Sequence, residues 1–292
     1  MTNPIILAFM AFAAFAFADV INRFLFIIIN IEFFNYVLWL DLAILICLII
    51  FGFFGTGFKF RFLKTNNYKY IVIRSALSVL NTFCSLLAVS YLPLHIFYIL
   101  AFTQPLFAAL FAIIFRLEKI KIRKILLIIL GLLGMGITLE IWRFSNLNLH
   151  IIGVIGGLGI ALTGSLSGII VQYIPKENPI TIASYSILLS LLIVLLYFGL
   201  TDAAMNVPAD FNIIGLIFAA GLFISLGMIF FIRSYQRGQV QYISSLQYTQ
   251  IIWGTIFGYL LFKEVPSLYA FIGIFIIILS NMGNVEKSKL IT

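Results

Sequence analysis

Charge is what this chain has least of. Aspartate, glutamate, lysine and arginine make up 10% of its 292 residues while 63% are hydrophobic, against about 25% and 45–50% in a typical soluble domain. A water-soluble globular fold is therefore excluded. Histidine and cysteine are equally scarce, two of each at His95, His150, Cys47 and Cys84. Spread out in this way they do not form a metal cluster at the usual ligand spacing. No phosphate loop or nucleophile–base pair is present either, so no enzyme chemistry and no cofactor are expected. Both cysteines lie inside apolar runs, where a secreted-type disulfide framework would not be placed.

Long apolar runs fill the sequence instead. At about 20 residues per bilayer crossing there is room for roughly ten crossings and no large extramembrane domain. Breaks at Gly, Pro, Asn or charge delimit runs at Pro4–Ile29, Phe34–Phe54, Tyr70–Ser90, Leu94–Phe115 and Ile125–Trp142. A second set follows at Ile151–Ile174, Ile180–Leu200, Ile213–Ile232, Val240–Phe262 and Leu268–Val285. Ala14-Phe15-Ala16-Phe17-Ala18 has the small-x-small pattern of a signal-peptide cleavage site. The preceding Met1-Thr2-Asn3-Pro4 carries no basic region, and apolar character continues through Ile27, so the first run reads as a retained helix.

With the N-terminus inside, the connections on the cytoplasmic side hold Lys59, Arg61, Lys64, Lys69, Arg74, Arg116, Lys119, Lys121, Arg123, Lys124, Lys176, Arg233, Arg237, Lys287 and Lys289. Only Arg23, Arg143 and Lys263 fall on the other side. Basic residues accumulate on the cytoplasmic side, so this asymmetry predicts ten crossings with both termini cytoplasmic. The net charge of +8 then belongs to loops beside anionic lipid, and nucleic acid is not an expected partner.

The chain also repeats itself. A shift of 146 residues lays Phe102-Thr103-Gln104 on Tyr248-Thr249-Gln250, and Phe115-Arg116-Leu117-Glu118 on Leu261-Phe262-Lys263-Glu264. Five crossings per repeat is odd, so the halves lie in opposite orientations, the architecture of secondary transporters with a midplane site between halves.

These features resemble the drug/metabolite transporter superfamily, specifically its carriers built from two five-helix EamA-type repeats. The resemblance rests on Asp19-Val20-Ile21-Asn22-Arg23 in the first helix, Ile73-Arg74-Ser75 opening the third, and the helices ending at Glu118 and Glu264. It implies an all-α integral membrane protein, with repeats at 1–145 and 146–292. It also implies a cavity drawn mainly from the first, third, fourth, sixth, eighth and ninth helices. In size and first helix the chain is most similar to the S-adenosylmethionine uptake carriers of obligate intracellular bacteria. That similarity implies a bacterial inner membrane. Where those carriers usually hold an arginine in the second helix, this sequence reads Val37-Leu38-Trp39-Leu40-Asp41.

Several polar residues inside the runs are candidates for substrate contact. Asp19, Asn22 and Arg23 share a helix face, so Asp19 either faces a cavity or pairs with Arg23. Asp41 reads as a structural counter-charge. Arg74 is unremarkable by composition, and only the resemblance raises it to a site for an anionic group. Ser78, Asn81 and Ser85 form a polar stripe below it. The ninth run is the most polar, with Gln241, Ser244, Ser245, Gln247, Tyr248 and Gln250. With Tyr98 and Gln104 of the related fourth run, and Gln172, Ser165 and Ser167 of the sixth, these form the expected cavity lining. The expected substrate-binding set is Asp19, Asn22, Arg74, Asn81, Tyr98, Gln104, Gln172, Ser244, Gln247 and Tyr248. Gly153, Gly157, Gly164 and Gly168 are read as helix-packing residues alone.

The function expected is a secondary carrier of a small polar or zwitterionic metabolite, S-adenosylmethionine uptake being one form of it. An amino-acid or drug exporter of the same superfamily is the alternative. A membrane enzyme lacks its catalytic groups, and a channel would show pore rings repeated by oligomeric symmetry. Small-molecule substrate and membrane lipid are the expected partners, and a homodimer is left open.

Overall fold

A computed structural model describes residues 3–27, 32–56, 63–91, 94–117, 121–143, 150–201, 203–206, 208, 210–262 and 265–284. Among these residues all regular structure is helical. The chain folds through α1 (Pro4–Ile27), α2 (Phe33–Thr56), α3 (Tyr68–Tyr91), α4 (Leu94–Ala101), α5 (Gln104–Ile114) and α6 (Ile122–Thr138). It continues through α7 (Ile151–Gln172), α8 (Pro179–Leu200), α9 (Phe211–Arg237), α10 (Val240–Ser245), α11 (Thr249–Phe262) and α12 (Leu268–Asn284). Five of these, α1, α2, α7, α8 and α9, are long and apolar enough to cross a membrane.

The surface is apolar where a soluble protein would be charged. Phe9, Ile46, Leu133, Ile155, Leu192 and Phe275 point outward, while Arg74, Gln104, Thr163, Ser186 and Gln247 are buried. Lipid tails solvate such a surface, so burial of apolar side chains does not drive helix association, and close backbone approach has to. The glycines supply it. A Cβ on Gly134 would meet the Gly273 carbonyl at 2.9 Å, and one on Gly156 would meet the Cys84 carbonyl at 2.7 Å. These contacts lie in α6–α12 and α3–α7, which with α1–α9 are the most extensive helix pairings.

Two runs read from sequence as single crossings are each broken. The fourth divides into α4 and α5 because Pro105 has no N–H for the Ala101 carbonyl and its ring would press on it. The freed turn is held by Thr103, whose hydroxyl donates to the Leu100 carbonyl at 2.6 Å. The ninth divides into α10 and α11 with a 3₁₀ turn, Leu246–Tyr248, between them. No proline stands there. Instead Ser244 donates to the Gln241 carbonyl at 3.2 Å, Ser245 to that of Tyr242 at 2.9 Å, and Thr249 to that of Leu246 at 2.6 Å. Hydroxyls engaging carbonyls three residues back compete with the α-helical ladder and tighten it.

The fifth run is shorter than the sequence suggests. α6 stops at Thr138, Glu140 takes a left-handed φ of 49°, and a 3₁₀ turn follows at Ile141–Arg143.

The helices run up and down, giving the bundle two ends, called upper and lower here without reference to a side of a membrane. The upper end contains the C-terminus of α6 and the start of α12. There the Asn35 amide donates to the Ala204 carbonyl at 3.2 Å and the Trp39 indole to that of Asn206 at 2.9 Å. The lower end is fastened more heavily. Thr65 and Asn67 donate to the Glu177 carboxylate at 2.8 and 2.6 Å. The Gln236 amide donates to the carbonyls of Ile174 and Glu177 at 3.1 and 2.9 Å, and Tyr185 to that of Leu63 at 3.3 Å.

Candidate functional site

Two cavities lie along the bundle axis, and Gln250, one residue into α11, lines both. The upper chamber, about 460 Å³, is walled by α1, the α4–α5 break, the end of α6, α11 and the start of α12. Its charged groups are Asp19 and Glu140, both acidic, accompanied by Tyr98, Thr138 and Ser267. The lower chamber, about 260 Å³, holds one charged group among the described residues, Arg74, with Ser78, Asn81, Gln104, Ser167 and Gln247. Phe12, Phe15, Met228 and Phe231 form its apolar wall.

Local structure explains how each polar group reaches its place. The break before α5 leaves Gln104 at that helix's first residue, and Gly164 on α7 makes room for it. A Cβ there would meet the Gln104 Oε1 at 2.7 Å. Gln247 donates toward that same Oε1 at 3.4 Å. Asn81 is turned toward α7, donating to the Ile160 carbonyl at 2.8 Å and the Thr163 hydroxyl at 2.9 Å. Gln250 donates to Asp19 Oδ2 at 2.7 Å, tying α11 to α1.

Arg74 is 4% exposed, and its Nη1 donates to the Ser186 hydroxyl of α8 at 2.6 Å. Its Nε has no partner, and neither does the Gln247 Oε1. A guanidinium withdrawn from water without a counter-charge costs on the order of several kcal/mol. A position that retains one is therefore a functional candidate.

Of the residues expected from sequence, the structure brings Arg74, Asn81, Gln104 and Gln247 to the lower chamber and Asp19 and Tyr98 to the upper. The other four lie outside both linings. Tyr248 is fully buried, its ring against Gly131 and its hydroxyl donating to the Ile128 carbonyl at 3.2 Å. Ser244 serves the turn described above. Gln172 donates to the carbonyls of Tyr235 and Gly238 at 3.1 and 2.8 Å, ending α9. Asn22 accepts from the Tyr36 hydroxyl of α2.

Other expectations divide in the same way. Ser78 and Ser167 line the lower chamber, while the Ser165 hydroxyl turns back to the Ala161 carbonyl at 2.7 Å. Asp41 is bonded by Ser190 of α8, away from both chambers, and its Oδ2 has no partner. The expected pairings of Arg23, the side chain of His95, and Glu118 and Glu264 lie outside the described residues.

Residues outside the expected substrate-binding set complete the site, Gln250 among them although it belongs to the expected cavity lining. Gly164, read as packing only, is chamber wall. Glu140 had looked like the tail of a crossing. Gln250 was detectable through its 146-residue correspondence with Gln104.

Comparison with known proteins agrees with a carrier. Residues 151–285 match the EamA-like transporter family. The pseudopaline exporter CntI of Pseudomonas aeruginosa is 24% identical over 203 residues, 70% of each chain. A riboflavin transporter of Brucella anthropi is 26% identical over 212 residues, 71% of this chain and 73% of its own. A crystal structure at 14% identity superposes with a TM-score of 0.82, covering 97% of both chains, which establishes likeness of fold alone.

Proposed function

We propose that this chain is an EamA-type secondary transporter moving a small polar or zwitterionic metabolite across a bacterial inner membrane. It works by alternating access between inverted repeats at 1–145 and 146–292, with ten crossings and both ends cytoplasmic. The observation that carries the reading is the pair of oppositely charged chambers bordered by Gln250, beside two helices broken at positions 146 residues apart. Helix pairing supports it further. Exchanging the halves turns the α1–α9 pairing into α7–α3, and α2–α9 into α8–α3, and all four pairings occur.

A zwitterion matches chambers of opposite sign, and S-adenosylmethionine belongs to that class. Tyr98 in the upper chamber would add cation–π attraction of about 0.5–2 kcal/mol for an ammonium or sulfonium centre. Export is the second reading, and one of the relatives is named as a pseudopaline exporter.

Purified protein in liposomes, offered labelled S-adenosylmethionine, riboflavin and amino acids from either side, tests both. Saturable flux of at least one compound is expected, and its absence for all would overturn the carrier reading. Cysteines replacing Lys64 and Lys119 should label only from inside the cell, and one replacing Asp210 only from outside. Outside labelling at Lys119 would remove the inverted repeat.

A further inference from the structure

Resting on the carrier reading, we propose that the lower chamber is a subsite for one particular end of the substrate, a carboxylate bearing an amino or hydroxyl group on its α-carbon. Arg74 takes the carboxylate and Gln247 accepts from the neighbouring donor.

Two buried groups of opposite sense lack partners on residues that line that chamber. The Arg74 Nε–H is a donor without an acceptor, and the Gln247 Oε1 is an acceptor without a donor. Ser186 occupies one terminal nitrogen of the guanidinium, which leaves the Nε edge for the planar, bidentate geometry that carboxylates prefer. Among the described residues no carboxylate lines this chamber, and Asp19 is engaged by Gln250 in the other one. The Gln247 amide is oriented by donating toward Gln104, so its oxygen is the atom available to a ligand.

These requirements select among ligands. Chloride would satisfy Arg74 and leave Gln247 without a donor. A simple amine would satisfy Gln247 and leave the guanidinium unpaired. An α-amino or α-hydroxy acid carries both functions, an acceptor pair for Arg74 and a donor for Gln247. A volume of about 260 Å³ holds such a head group, and a larger remainder extends past Gln250 toward Asp19 and Glu140. That remainder is then cationic or rich in hydroxyls.

The test uses the full chain purified in detergent. Thermal stabilisation is measured with the common α-amino acids, lactate, malate and S-adenosylmethionine at millimolar concentration. For each compound that stabilises, its decarboxylated and its deaminated or deoxygenated analogues are measured too. At least one acid should stabilise the protein, and both of its analogues should bind roughly tenfold more weakly or worse.

Arg74→Gln should abolish the preference for the acid over its decarboxylated analogue, and Arg74→Lys should retain part of it. Gln247→Leu should abolish the preference over the deaminated analogue alone, which keeps the test open if the Arg74 variants fail to fold. Stabilisation by none of the acids, equal binding of decarboxylated analogues, or an equal response to chloride or phosphate would each overturn the subsite. Flux of riboflavin without any acid binding would overturn the subsite and keep the carrier. Acid binding without flux of any compound would do the reverse.

Discussion

The breaks in the fourth and ninth runs occupy corresponding positions and are made by different means. Before α5 the cause is covalent, a proline that cannot donate. Before α11 it is a set of hydroxyls turned onto their own backbone. The threonine bond is common to both, Thr103 to Leu100 and Thr249 to Leu246, each 2.6 Å and 146 residues apart. So is the outcome, a glutamine delivered to the bundle axis, Gln104 to one chamber and Gln250 to both. What the two halves share is thus the placement of an amide, and the sequence device that achieves it is free to vary.

That comparison can be broken at the glutamines first. Gln250→Leu leaves Asp19 without its donor, and a hydrogen bond to a charged group contributes about 1.5–3 kcal/mol. Substrate affinity should fall by roughly tenfold or more, measured as flux against concentration in liposomes. Gln104→Leu, which removes an uncharged contact, should fall by less, and equal effects would show that Gln250 has no special place between the chambers.

The chambers differ next in their tolerance of one methyl group. Gly164→Ala drives a Cβ into the Gln104 amide and should weaken transport, whereas Gly254→Ala, also a wall residue but with nothing within 4 Å of its new Cβ, should leave flux unchanged. A smaller effect is expected at the breaks themselves. Thr103→Val and Thr249→Val each delete one bond of about 1 kcal/mol, and thermal melting should show similar small losses. A loss confined to one of them would mean the two turns do not bear equal strain.

Much of the architecture could be read from hydropathy, because run lengths and breaker residues are written locally. The starts of α2, α3, α7 and α8 fall within two residues of expectation. The breaks were not legible. Pro105 sits in a run that stays apolar on both sides, and hydropathy does not register a lost N–H. In the ninth run Ser244 and Ser245 read as cavity lining, yet they satisfy the turn's own carbonyls, as Thr249 does, while Gln247, Gln250 and Thr255 line a chamber. Composition cannot separate those uses, because a serine bonded to its own helix and one bonded to a ligand are the same letter. Asp41 shows the opposite limit. Its sequence reading is a structural counter-charge, but its partner, Ser190, stands on α8, 149 residues away, and only tertiary packing identifies it.

In the proposed carrier, the fastening of the lower end would set the resting populations of the two facing states. Thr65, Asn67, Gln236 and Tyr185 together give five hydrogen bonds across that end. At about 1 kcal/mol net for each, they hold the opposite-facing state at roughly one part in several thousand. A substrate reverses that balance only to the extent that it binds the opposite-facing state more tightly. An empty carrier of the proposed kind would then seldom turn over, which suits one-for-one exchange. Glu177, which takes part in three of the five bonds, is the point at which that tightness is set.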